Sequence, residues 1–170
     1  MSEVEIRPTI PADLDSLADV LVDVHAADGY PVEGVEDPSA WLRLSAPIGQ
    51  WTALHESRPV GHVALVRPDA GDAGPRLLSK QEEFPLEEIA VLARLFVAPD
   101  HRGRSVAERL VRVAEACARA EGLRVSLEVM MKDVAAIRLY KKLGWKSIGE
   151  FEYAHGSNER TRALIMAANP

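Results

Sequence analysis

The chain has 170 residues, enough for one globular domain with a full hydrophobic core. A net charge of −6, with 47% hydrophobic and 27% charged residues, excludes a nucleic-acid binder that works through a general basic surface. The single cysteine, Cys117, excludes an internal disulfide and a thiolate-rich metal cluster, and the five histidines show no ligand spacing, so no metal is expected.

The start, "MSEVEIRP", has no basic segment leading into an apolar run. No stretch approaches the ~20 apolar residues of a membrane helix, so a cytoplasmic protein without a membrane partner is expected. "VEIRP" alternates as a strand closed by Pro8. Leu14, Leu17, Val20, Leu21 and Val24 then follow a helical period that stops at Gly29. Asp37 and Pro38 open a short second helix, as N-cap and first helical residue. "WTALHES" and "RPVGHVALVRP" read as two strands joined tightly through "ESRP".

Residues 67–88 are rich in Pro, Gly and charge and read as a long loop. "IAVLARLFV" is a strand, "SVAERLVRVAEACARAEG" a helix ending at Gly122, and "RVSLEVM" a strand. "DVAAIRLYKKLG" is a helix closed by Gly144, and "SIGEFEYA" with "RTRALIMAA" forms a closing hairpin. No repeat or linker divides the chain. The expected fold is one mixed α/β domain over residues 1–170, with a mostly antiparallel sheet of about seven strands and about four helices.

The stretch "FVAPDHRGRSVAERL" carries the chemistry. A strand feeding a helix through a glycine-containing turn gathers backbone N–H groups and the helix dipole into an anion site. Gly103 permits close approach, and Arg102, Arg104 and His101 add charge. A phosphate or pyrophosphate fits such a turn. No Gly-x-x-x-x-Gly-Lys-Ser/Thr string exists, and one glycine is too few for the dinucleotide fingerprint.

The stretch resembles the coenzyme A pyrophosphate loop of the GNAT N-acetyltransferase family, Gln/Arg-x-x-Gly-x-Gly/Ala. Arg102 opens the motif, Ala107 closes it, and Ser105 stands at the central glycine. A second stretch, "DVAAIRLYKKLGW", is similar to the family's later motif. There Asp133 replaces asparagine, and Asp133, Ala136 and Tyr140 share one helix face. The resemblance implies the GNAT fold and an acetyl-CoA-dependent N-acetyltransferase acting by direct attack in a ternary complex. Amides of Gly103, Arg104, Ser105, Val106 and Ala107 would cradle the pyrophosphate. The strand residues Leu95, Phe96 and Val97 would meet the pantetheine arm, with Asp133 near the cofactor. Tyr140 would act as general acid toward the leaving thiolate.

Many relatives carry a glutamate where this chain has Val91. The nearest acids are Glu87 and Glu88, at or before the start of its strand, and Glu128 on the next; Glu128 reads either as a base acting through a water or as an outward-facing strand acid. By the same resemblance, the acceptor pocket would draw on "DVHAADGYPVEGVED" and "YAHGSNER", with His25, Asp28 and Tyr30 as substrate-binding candidates. An acidic mouth suits a small cationic amine. The alternatives are a protein N-terminal or lysine acetyltransferase and a non-catalytic acyl-CoA-binding module. The apolar "ALIMAA" end permits a homodimer.

Overall fold

The computed structural model describes residues 2–155 and 158–170. The strands are β1 (Glu5–Pro8), β2 (Gly49–His55), β3 (Arg58–Val66), β4 (Ile89–Val97), β5 (Arg124–Met130), β6 (Lys146–His155) and β7 (Glu159–Ala167). They form one sheet in the order β1-β2-β3-β4-β5-β7-β6. β4 and β5 run parallel; β1–β2, β2–β3, β5–β7 and β6–β7 are antiparallel. The helices are α1 (Leu14–Asp28), α2 (Pro38–Leu42), α3 (Ala73–Glu82), α4 (Val106–Ala120) and α5 (Val134–Lys142). The mixed seven-stranded sheet is the one expected. α3 is an addition, lying in the segment read as a loop.

Two compact units are distinguished. The first comprises residues up to Leu65 together with Ala93–Ala114, and the second Val66–Leu92 with Glu115–Pro170. In the first, Leu17, Leu21 and Val24 recur on one face of α1 and pack with Leu42 and Phe96. Burying each such side chain contributes about 1.5–3 kcal/mol. α1 stops at Gly29, whose φ of 73° is the left-handed end that glycine adopts without strain. Asp37 caps α2 by accepting from the Ala40 N–H at 3.0 Å. Glu56 and Ser57, both with positive φ, make the two-residue turn joining β2 to β3.

A buried carboxylate ties β1 to the start of α1. Asp13, in a 3-10 turn at Pro11–Asp13, accepts from both Arg7 terminal nitrogens, from the Ile10 N–H and from Thr52 Oγ1. The Arg7 hydrogen bonds hold its carboxyl below the usual range against the opposing effect of burial.

In the second unit, α3 supplies Leu78, fully buried against Ile89 and Ala167. Glu82 closes the same helix with a bidentate pair to Arg124 at 2.7 and 2.5 Å. The indole N–H of Trp145 donates to Glu115 at 2.7 Å. Among the described residues, no helix is long and apolar enough to cross a membrane.

Candidate active site

The turn expected to bind an anion leaves β4 at Val97. The Ala98 N–H donates back to Val60 O at 2.7 Å, and a 3-10 turn at Pro99–His101 carries the chain to Arg102. Gly103 and Ser105 then both take left-handed conformations, with φ of 74° and 59°. Serine carries a steric cost of about 1–2 kcal/mol there that glycine avoids. Ser105 nevertheless takes this left-handed conformation, and its carbonyl accepts from the Arg109 N–H to start α4. Val106, Leu110 and Ala114 bury one face of that helix in the first unit. The N–H groups of a helix's first turn have no intrahelical partners, so this turn can receive an anion.

Two of the turn's basic groups are engaged. The Arg102 guanidinium grips Asp28, the last residue of α1, at 3.0 and 2.5 Å. His101 bonds Asp100 through Nδ1 and His55 through Nε2, at 2.9 and 3.0 Å. Arg104 is exposed.

Leu95, Phe96 and Val97 follow an unusual residue. Arg94 has a φ of 58° in the middle of β4, a conformation that costs a non-glycine residue about 1–3 kcal/mol. Its guanidinium lies 4.0 Å over the Trp41 ring and 3.9 Å from Glu33. The Trp41 indole N–H donates to Glu33 at 2.9 Å, and Tyr30 meets the Trp41 ring edge-on at 5.9 Å. The Arg94 carbonyl accepts from His62 Nδ1 at 2.8 Å, and the His62 ring stacks on Phe96. His25 has a buried Nδ1 with no hydrogen-bond partner among the described residues.

The remaining expected site residues belong to the second unit. Tyr140, on α5, is 5% exposed, with its ring 5.5 Å from Trp145. Asp133 precedes α5; its carbonyl accepts from the Ile137 N–H and its carboxylate pairs with Lys132 at 3.0 Å. Glu128 lies on β5 facing the start of α3. It is half-buried, and Oε1 accepts from the Gly74 N–H in the first turn of α3 at 3.3 Å. Burial raises its carboxyl above the ordinary range, the α3 N–H groups partly offset this, and nearby Asp72 adds to it. Ser126, two residues earlier on β5, pairs in register with Val91.

The profile of the Acetyltransferase (GNAT) family matches residues 15–145. The chain belongs to the GNAT acetyltransferase family. A Bacillus subtilis (strain 168) protein described as a candidate ribosomal-protein-bS18-alanine N-acetyltransferase is 29% identical over 140 residues, covering 81% of this chain and 84% of that one. The uncharacterized N-acetyltransferase YobR of the same organism is 36% identical over 63 residues; that match spans 36% of this chain and only 26% of YobR. Arabidopsis thaliana NAA60, solved with acetyl-CoA, superposes with a TM-score of 0.75 at 19% identity, covering 97% of each chain. The Escherichia coli ribosomal-protein-S18-alanine N-acetyltransferase superposes with a TM-score of 0.72 at 18% identity, covering 98% of this chain and 93% of that one. These two structures share its fold.

This GNAT acetyltransferase uses acetyl-CoA as co-substrate, and among the described residues no group of three metal-binding side chains occurs. Burial, and next Glu121, raises the Cys117 thiol, which keeps it protonated and poorly nucleophilic. Gly156 and Ser157, in the hairpin loop expected to help form the acceptor pocket, lie outside the described residues. The sequence reading missed Arg94, Trp41 and His62. The one available signal was a histidine inside the apolar run "VGHVALV", since a buried histidine must find hydrogen-bond partners.

Proposed function

We propose that the pyrophosphate of acetyl-CoA binds the amides of Gly103–Ala107 and that the pantetheine arm runs along the backbone of Leu95–Val97. The paired left-handed residues Gly103 and Ser105, opening directly into α4, carry this reading. The amine nitrogen attacks the thioester carbonyl and forms a tetrahedral oxyanion stabilised by a β4 backbone N–H. The amine proton passes through a water to Glu128, whose raised carboxyl is a better proton acceptor near neutrality. The C–S bond then breaks, and Tyr140 protonates the leaving thiolate.

For the acceptor, we infer a peptide N-terminal amine. The acidic mouth expected for a polycation is largely committed: Asp28 to Arg102, Glu33 to Trp41 and Arg94, and Asp37 to capping α2. The relatives named for ribosomal-protein alanine acetylation favour the same substrate class. A small cationic amine is the second reading, favoured by the exposed Asp23 near the end of α1.

Calorimetry of acetyl-CoA with the wild type and with Arg102→Ala/Gly103→Pro tests the cofactor site. A loss of at least tenfold in affinity, in a folded double variant, is expected. Equal binding refutes the site. Turnover with a peptide beginning in alanine, set against spermidine, separates the two acceptor readings.

A further inference from the structure

His62 is fully buried in β3, and its hydrogen bonds define its state. The Arg94 carbonyl can only accept, so Nδ1 carries the proton in the 2.8 Å contact. Nε2 then accepts from the Gln50 amide at 2.9 Å, and the same amide nitrogen donates its second hydrogen to Leu42 O at 3.1 Å. The ring stacks on Phe96 with centroids 5.4 Å apart and planes 27° apart. Desolvation lowers its pKa to about 4, so it stays neutral through the physiological range.

A leucine or phenylalanine would fill this volume without burying two ring nitrogens that each need a partner. The satisfied polar chain instead fixes one orientation from the end of α2, through Gln50 and His62, to Arg94. Arg94 is the residue of β4 that departs from extended backbone. Its carbonyl belongs to the same planar trans peptide as the Leu95 N–H, and in such a peptide the two point in opposite directions. Holding the oxygen therefore aims the N–H away from His62. The β4–β5 ladder pairs Ile89, Ala90 and Val91, so Leu95 is not among its partners.

We propose that His62 is a positioning residue of acyl transfer: by holding the Arg94 carbonyl, its Nδ1–H aims the Leu95 N–H at the oxyanion that forms on the thioester carbonyl. This rests on the reading that the acyl group lies along Leu95–Val97. His62 touches neither substrate nor cofactor. It acts through one rigid peptide.

The test compares His62→Asn with His62→Gln. Asparagine places an amide donor at the Nδ1 position, whereas glutamine reaches the Nε2 position and offers Arg94 nothing. Acetyl-CoA carrying carbon-13 at the thioester carbonyl reports polarisation through its infrared stretch and needs no acceptor amine. The wild type and His62→Asn should shift the bound carbonyl to lower frequency than free acetyl-CoA. His62→Gln should bind acetyl-CoA within threefold of the wild type yet lack the shift. Turnover of an alanine-leading peptide should fall roughly 10²-fold in kcat, with KM for acetyl-CoA little changed.

A shift kept in His62→Gln, or lost equally in both variants, overturns the proposal. So does a wild type that binds acetyl-CoA without a shift. A wild type that does not bind acetyl-CoA overturns the site reading beneath it. Should either variant fail to fold, NMR coupling between His62 Nδ1 and the Arg94 carbonyl carbon in the wild type decides; its absence refutes the clamp.

Discussion

Serine rarely occupies the left-handed region, and Ser105 does so where the family uses glycine. Ser105→Gly should stabilise the protein by about 1 kcal/mol in a denaturant titration and leave acetyl-CoA affinity equal or higher. A weakened affinity would mean the hydroxyl itself contacts phosphate. Glu128 poses a different conflict. Its folded pKa is raised, so the fold holds its proton more tightly than the unfolded chain does. That contribution to stability is full below the ordinary carboxylate pKa and is lost as pH rises through the raised value. Glu128→Gln should therefore be at least as stable as the wild type at pH 8, while kcat falls about 10²-fold or more. In the wild type, activity should decline as pH falls through the raised value, because the proposed base Glu128 becomes protonated. Motif spacing made Arg102, Gly103 and Tyr140 legible as candidates. The Arg102–Asp28 ion pair was not legible, because it joins residues 74 positions apart that only the fold brings together.

α3 shows why one helix escaped the sequence. Its first turn holds Gly74 and Pro75, and its Leu77–Leu78 pair gives little periodic signal. Proline is tolerated there because a first-turn N–H has no intrahelical partner to lose. Tertiary contacts supply what propensity does not: Leu78 is buried, Glu82 holds Arg124, and the Gly74 N–H meets Glu128. By contrast, α1 and α4 carry clear apolar faces, and β4 was read to its end residues because its apolar run is bounded on both sides. Leu78→Ala should cost about 3 kcal/mol in thermal or urea unfolding. It should also loosen the cover over Glu128, moving the acid limb of the pH–rate profile toward the ordinary carboxylate range. An unmoved limb would mean that α3 does not set the base.

At the scale of the whole molecule, a chain of net charge −6 is assigned an anionic co-substrate, so recognition depends on a local concentration of donors. Acetyl-CoA at a hundred times its Kd should stabilise the native state by ~2.7 kcal/mol. For a chain of this size that corresponds to a rise in Tm of about 5–10 °C, readable by calorimetry. The Arg102→Ala/Gly103→Pro variant should show most of that rise abolished. The tryptophans give the protein built-in optical reporters on opposite tasks. Trp41 lies beneath the Arg94 cation and beside Tyr30, whereas Trp145 is locked to Glu115 beside Tyr140. With Trp51 in β2 also removed, steady-state emission of a Trp51→Phe/Trp145→Phe variant should thus follow an acceptor peptide entering beside α2. Tyrosine excitation in a Trp41→Phe/Trp51→Phe variant, set against the same variant with Tyr140→Phe, should report by energy transfer to Trp145 on the packing of α5, so acceptor binding and Tyr140 packing can be watched separately without a label.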